Sequence, residues 1–478
     1  IQNLEDNLRT SHLNPEEKSK IENLCYNYKD IFHHEDLPLT FTSQIKHKIR
    51  TTDEQPVYTK NYRYPHVYKE EVQQQMDKML KTNIIQESIS PYNSPIWIVP
   101  KKADASGKQK FRIVIDYRKL NEKTIENKYP IPNIEDLLSK LGNCTYFTTL
   151  DLASGFYQIE MDEDDAEKTA FTVDNGHYQF KRMPFGLRNA PATFQSVMDH
   201  VLRGLQNNIC LVYLDDIIIF STSLDEHIER LQKVFDRLRT SNLKIQLDKS
   251  EFLKKEAEYL GHVITPSGVK PNPNKILAVQ QFPIPTTTKE IKRFLGLVGY
   301  YRKCIQNFAH LTKPLTKCLK KNSTIIHNAE FINAFEKCKE ILTNAPILQY
   351  PKFDKPFIIT TDASDVAVRS ILSQGKLGED LPICYASRTL NETERKYSTT
   401  EKELLSIIFS LKYYRPYIFG RKIIIITDHK PLLWLANLKE CNARLTRWKL
   451  KLEEFNYEIV HRKGKKQRCS RRFITYSN

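Results

Sequence analysis

No apolar run in this chain approaches the roughly 20 residues needed to span a bilayer, and the opening Ile1-Gln2-Asn3-Leu4-Glu5-Asp6 is too polar for a secretory signal. Membrane-spanning and secreted classes are set aside, and no membrane partner is expected. The nine cysteines include no CxxC pair and no neighbouring His cluster at zinc spacing. A disulfide framework is therefore excluded as a reading, and free thiols in a reducing compartment are expected. Internal repeats and low-complexity tracts are also missing. With 478 residues, about three ordinary domains are expected. The start at Ile1 rather than Met suggests a piece of something longer.

Acidic residues are scarce in two places. Residues 269–345 hold 13 Lys/Arg against 4 Glu, and residues 461–478 hold 7 against none, which accounts for the whole net charge of +16. Concentrated basic surface on an otherwise balanced chain points to a polyanionic partner.

The most informative carboxylates interrupt an apolar run, Leu211-Val212-Tyr213-Leu214-Asp215-Asp216-Ile217-Ile218-Ile219-Phe220, and Asp151 closes another strand-like stretch 64 residues earlier. Two strands joined at Asp215-Asp216 would carry both carboxylates at a hairpin tip, with Asp151 on a neighbouring strand completing a cluster. Three like charges brought together call for a hard divalent cation, Mg²⁺, which makes nucleic acid a better partner than a membrane. Asp164-Asp165 lies in an acidic stretch without apolar flanks and reads as solvated loop or helix.

Along the chain, residues 1–60 form a polar lead-in with a helix near Asn14-Pro15-Glu16-Glu17. Residues 61–268 alternate helix and strand. Val72, Met76, Met79 and Leu80 form one helical stripe, and strand-like runs at Ile96–Val99 and Phe111–Asp116 flank Lys101, Lys102, Lys108 and Lys110. Phe194, Val197, Met198, Val201 and Leu202 form a second stripe, and Leu224, Ile228, Leu231, Phe235 and Leu238 a third. Residues 269–345 read as basic helices bounded by prolines. Residues 346–464 read as a compact α/β domain with strands at Phe357–Asp362 and Ile423–Asp428 and a helix from about Thr400 to Tyr414; residues 465–478 are a basic tail.

The ordered motifs SPIWIVPKK (94–102), FRIVIDYRKLN (111–121), TTLDLASGFYQIEM (148–161), MPFGLRNAPATFQ (183–195), YLDDIIIFS (213–221), EYLGHVI (258–264) and FLGLVGYYRKCI (294–305) resemble one family. It is the reverse transcriptase and RNase H segment of gypsy-type LTR retrotransposon polyproteins, matched from about Leu37 to Gly464. The resemblance implies an α+β right-hand polymerase of fingers, palm and thumb, followed by an RNase H-like α/β domain. It implies RNA-directed DNA synthesis from dNTPs on an RNA template and DNA primer, with an RNA-DNA hybrid as product, and location in a cytoplasmic virus-like particle. Oligomeric state is not readable.

By the same resemblance Asp151, Asp215 and Asp216 would hold two Mg²⁺ ions. Arg112 and either Lys101 or Lys102 would contact the triphosphate. Phe156 would exclude a 2′-hydroxyl, although core packing also explains a Phe there, and Phe185-Gly186 would form the nucleotide-facing turn. Leu260-Gly261 resembles the primer-gripping loop, and the basic helices resemble the thumb. Asp362, Glu403 and Asp428, in TTDAS, TEKELL and ITDHKPL, match three of four RNase H carboxylates around a second pair of Mg²⁺ ions.

The pattern breaks twice. Arg369-Ser370 stands where the family usually carries Gly-Ala, and an Arg on a closely packed strand is expected to strain the domain or carry charge toward its core unless it snorkels. After His461-Arg462-Lys463-Gly464 the chain reads KKQRCSRRFITYSN, placing Arg471 where the fourth carboxylate belongs. One back-translation of residues 466–478, read from its second base, gives N-R-G-A-A-D-A-L-S-H-I-R, which recovers the missing motif and suggests a single-base deletion near Lys465. The expectation is a competent polymerase with impaired RNase H; the alternative is a catalytically inactive nucleic-acid-binding remnant of a decayed element.

Overall fold

The computed structural model describes residues 7–34, 37–100, 111–174, 176–321, 323–430 and 443–462. Lys101, Lys102 and the tail with Arg471 lie outside the described residues. The chain divides into two compact units, Ile1–Leu138 with Cys144–Tyr259, and Ser139–Asn143 with Leu260–Asn478.

In the first unit, helix α1 (Pro15–Asn27) starts where the sequence signals it. Asn14 Oδ1 accepts from the Glu17 N–H at 2.8 Å and Glu17 returns the bond to the Asn14 N–H at 3.2 Å, satisfying two donors that the helix end leaves open. Ile21, Leu24 and Cys25 are buried, as are Tyr28 and Phe32 just beyond, whose rings meet Phe235 edge-on. The lead-in is thus part of the core. Helix α2 (Lys69–Lys81) buries Val72 and Met76. Strands β1 (Ile96–Pro100) and β2 (Phe111–Ile115) pair antiparallel, Val99 opposite Arg112.

Strand β3 (Tyr146–Asp151), helix α3 (Ala190–Val201), the hairpin strands β4 (Cys210–Tyr213) and β5 (Asp216–Ser221), helix α4 (Leu224–Thr240) and strand β6 (Glu251–Lys254) build the palm, whose sheet order is β6-β3-β5-β4. Strand β5 is central, and Ile217, Ile218, Ile219 and Phe220 are all buried on it. A continuous apolar run is stable in a strand covered on both faces, each such side chain contributing roughly 1.5–3 kcal/mol. A buried polar group lies beneath this sheet. The buried His227 of α4 bonds Thr148 Oγ1 through Nε2 and Ser221 Oγ through Nδ1, both at 2.8 Å, and burial pushes its pKa down to about 3. The ring is therefore neutral, with one nitrogen donating and the other accepting.

In the second unit, α5 (Thr288–Tyr300) opens with a Thr287/Glu290 capping box and packs against α6 (Ala329–Thr343) through Phe294 and Phe335, whose ring centroids are 4.6 Å apart. Lys289, Lys292 and Arg293 occupy the exposed face of α5. A five-stranded sheet follows: β7 (Phe357–Ala363), β8 (Ala367–Gln374) and β9 (Leu381–Thr389), then helix α7 (Thr399–Ile418), β10 (Lys422–Thr427), helix α8 (Ala443–Glu453) and β11 (Asn456–His461). Its order is β9-β8-β7-β10-β11, with β9, β8 and β7 antiparallel and β10 and β11 joining in parallel. The seven cysteines among the described residues are buried and outside any disulfide, and no described helix is long and apolar enough to cross a membrane.

Candidate active sites

The palm hairpin turns one residue earlier than a tip at Asp215-Asp216 requires. Leu214 and Asp215 form the turn, and Asp216 is already the first residue of β5, opposite Tyr213 on one side and Asp151 on the other. Leu214 takes φ +55°, a left-handed conformation that costs a branched residue on the order of 1 kcal/mol or more. Gln195 of α3 holds it there: its buried Oε1 accepts from the Leu214 N–H at 2.8 Å while its Nε2 donates to Asp199 at 2.9 Å. Gln195 was missed at the sequence level; its signal was a polar residue beside the apolar stripe of α3.

Asp151 is fixed at its backbone on both sides. Its N–H donates to Ser250 Oγ at 3.1 Å and its carbonyl accepts from the Gln246 N–H at 2.8 Å. Burial raises its pKa, Lys249 opposes the shift, and Asp215 and Asp248 add to it. Asp216 is pushed up to about 6, first by desolvation and then by the charges of Asp215 and Asp151. Asp215 and Asp216 are both exposed, so this desolvation comes from protein packed beneath the carboxylate and not from enclosure. Among the described residues no basic side chain forms an ion pair with any of the three. A hard divalent cation fits this donor set of neighbouring carboxylates without an ion-paired base. Nearby, the buried Tyr259 hydroxyl has no hydrogen-bond partner among the described residues. Burial, followed by the charge of Asp216, holds its proton on.

Phe156, in a single helical turn (Gly155–Gln158), stacks on Phe185 with centroids 4.8 Å apart and planes 26° from parallel, and it also meets Phe194 at 5.3 Å. Phe185 is 50% exposed. Gly186 has φ +92°, a conformation that favours glycine; its carbonyl accepts from Asn121 Nδ2 at 2.8 Å, and Asn121 Oδ1 accepts from the Arg188 N–H at 2.8 Å. Asn121 therefore splints the Phe185-Gly186 turn, a second role not seen in the sequence. Arg112 is exposed on β2. In the second unit, Leu260 and Gly261 both have left-handed φ, +47° and +70°, and their carbonyls accept from the hydroxyls of Tyr300 at 2.6 Å and Tyr301 at 2.5 Å.

Asp362 on β7, Glu403 on α7 and Asp428 just after β10 converge, with ligand atoms all within 4.8 Å of one another. Among the described residues this is the set that meets that separation, so the palm carboxylates are set wider. Glu403 is buried. Its Oε1 accepts from the Ala363 N–H at 3.1 Å, and its Oε2 has no partner. Desolvation pushes its pKa up to about 7, with the Ala363 bond opposing, Asp428 adding and Arg369 opposing. An orphaned buried oxygen among three carboxylates fits a cation. Arg369 does not carry charge to the core as expected. Strand alternation turns it outward on β8, directly opposite Asp362, and its guanidinium forms an ion pair with the Asp362 carboxylate; the neighbouring Ser370 is buried.

A four-stranded palm sheet with three carboxylates at its hairpin end, and an RNase H-like domain that brings three more together from β7, α7 and the end of β10, define a right-hand polymerase fold joined to an RNase H-like domain. Residues 99–264 match the family model for reverse transcriptase (RNA-dependent DNA polymerase), and residues 352–455 match the RNase H-like domain found in reverse transcriptase. The chain is 54% identical over 458 residues to the retrovirus-related Pol polyprotein from transposon 297 of Drosophila melanogaster, covering 96% of this chain and 43% of that one. It is 41% identical over 441 residues to that from transposon gypsy of the same organism, covering 89% and 42%. It thus spans less than half the length of these curated relatives. A foamy viral protease-reverse transcriptase solved with double-stranded DNA superposes at TM-score 0.85 with 26% identity, covering 97% of this chain and 81% of that one. The same viral enzyme solved with an RNA/DNA hybrid superposes at 0.77 with 26% identity, covering 97% and 63%. The chain belongs to the reverse transcriptase and RNase H segment of the gypsy-type retrotransposon Pol polyproteins.

Proposed function

We propose that the chain is an RNA-directed DNA polymerase that extends a DNA primer on an RNA template with dNTPs, within the virus-like particle of its element. The observation that carries this reading is the placement of Asp151 and Asp216 as direct cross-strand partners, with Asp215 in the adjoining turn and no basic side chain among the described residues ion-paired with any of the three. Asp151, Asp215 and Asp216 would hold Mg²⁺, which when bound supplies activation of the primer 3′-hydroxyl and neutralises charge on the triphosphate. The chain's own residues do the positioning. Gln195 locks the turn that aims Asp215, and Asn121 locks the Phe185-Gly186 turn. Phe156 stacked on Phe185 presents a rigid ring against which a 2′-hydroxyl would collide. Arg112, with Lys101 or Lys102, would take the triphosphate, and Leu260-Gly261 the primer. The exposed basic face of α5 suits a nucleic-acid backbone, and the duplexes bound by the foamy viral enzyme support duplex DNA and RNA-DNA hybrid as partners.

Asp362, Glu403 and Asp428 would cleave the RNA of the hybrid, and we propose that this activity is impaired, since one of the three is already ion-paired with Arg369. The test is dNTP incorporation on a DNA-primed RNA template with Mg²⁺, comparing the chain with Asp215→Asn. Incorporation lost in the variant supports the polymerase. A folded chain that binds hybrid yet incorporates nothing in either form would refute it and favour an inactive binding remnant.

A further inference from the structure

The Arg369 guanidinium has one ion-pair partner among the described residues, the Asp362 carboxylate, and its strand is anchored beside that carboxylate. It lies across from Asp362 in the antiparallel register of β7 and β8 and forms an ion pair with that carboxylate. Ser406 Oγ lies 3.2 Å from the carbonyls of both Asp362 and Arg369 and shares its one hydrogen between them, holding the two strands against the turn of α7 next to Glu403. The Arg369 side chain is 45% exposed, so the charge meets the cluster at its solvent side while Glu403 closes the buried side. Asp362, Glu403 and Asp428 bring the ligand atoms of three carboxyl groups within 4.8 Å, three negative charges once a cation holds Glu403 ionised. One permanent guanidinium leaves two, a balance that a single divalent ion completes, while a second ion would leave the centre positive. A guanidinium also lacks a Lewis-acidic orbital and an exchangeable water ligand, so it can neutralise Asp362 without activating anything.

Resting on the reading of this cluster as a cation site, we propose that Arg369 is a built-in counter-ion that takes the place of one divalent cation in the RNase H centre, leaving Glu403 and Asp428 to hold a single, weakly bound ion. Any further cation has to displace the guanidinium from Asp362 first.

The experiment is Mn²⁺ binding by electron paramagnetic resonance on the full chain. The palm is silenced by Asp215→Asn and Asp216→Asn, and Arg369 is compared with Arg369→Gly and Arg369→Gln in that background. The expected result is tighter Mn²⁺ binding in both variants by about tenfold or more, within the usual range for coupling between ligands of one site, with a second ion bound at saturation. Equal affinity and stoichiometry in all three proteins would overturn the proposal. Tightening in Arg369→Gly alone would overturn it as well, because Gln removes the charge while keeping the bulk. If none of the proteins binds Mn²⁺ and Glu403→Gln changes nothing, the metal-site reading itself fails. The Gln variant also keeps the test decisive should Gly unfold the strand.

Discussion

Asp216 in the palm and Asp362 in the RNase H-like domain occupy the same kind of position, an acidic residue on one strand of an antiparallel pair facing a specific residue on the next. Across from Asp216 stands Asp151, another acid; across from Asp362 stands Arg369. Side chains directly opposite on antiparallel strands interact strongly, and like charges there destabilise. The palm therefore keeps like charges facing each other: Asp216 is pushed up to about 6, first by burial and then by Asp215 and Asp151, whereas Glu403, pushed up to about 7 chiefly by burial, has Arg369 opposing the shift. The RNase H centre offsets part of its own negative charge internally. A carboxylate cluster is thus a metal site only insofar as the protein has not already neutralised it, and one residue on the neighbouring strand decides that.

The most severe way to break the comparison is to give the palm the arrangement of the other site. Asp151→Arg should place a guanidinium opposite Asp216 and reduce primer extension by about a thousandfold, the size of removing a group that acts on transition-state charge. Circular dichroism should be unchanged. Appreciable extension would show that a cross-strand cation does not disable such a site.

A smaller effect is expected from the support beneath the palm turn. Gln195→Leu removes the acceptor of the Leu214 N–H, and an amide left unpaired costs about 1–3 kcal/mol. Displacing Asp215 by even a fraction of an ångström should reduce the turnover rate by up to about a hundredfold with little change in KM for dNTP. Steady-state kinetics would check this, and a rise in KM with turnover intact would remove Gln195 from the positioning role.

The smallest effect separates the two units by acid. Among the described residues the buried imidazoles, His47 and His227, both belong to the first unit. Burial lowers His47 to about 4 and His227 to about 3. In each case the unfolded chain takes up the proton first. The stability they contribute is complete above the unfolded value near 6.5 and is lost as pH falls from there toward the folded values. For His227 the loss at pH 5 should be about 2 kcal/mol. In His227→Gln, which has no group titrating in this range at that position, the unfolding midpoint should fall less between pH 7 and pH 5 than in the native chain. Parallel pH profiles would contradict the neutral buried imidazole.

Local signals were legible where the physics is local. The Asn14 cap, the stripe through Phe194, Val197 and Met198, and the all-apolar run Ile217–Phe220 each identified an element because capping and periodicity act over a few residues. Candidate carboxylates were legible because acidic residues inside apolar runs need a reason to be there. Gln195 was not legible, since its partner, the Leu214 amide, is 19 residues away and exposed only once the turn takes a left-handed φ. The outward direction of Arg369 was not legible either, because an Arg in an apolar strand can be read as strain until the facing strand is known.

The sequence by itself determined the order of the elements, the identity of the acids and the basic surface of the helical segment, all properties carried within short stretches of chain. Tertiary structure alone decided the cross-strand register, which sets Asp216 against Asp151 and Asp362 against Arg369. Register arises from pairing strands distant in sequence or joined through a turn, and a slip of one residue reverses the face each side chain occupies. From the same few acids it therefore leaves one cluster with no cation facing it and sets a guanidinium against one carboxylate of the other.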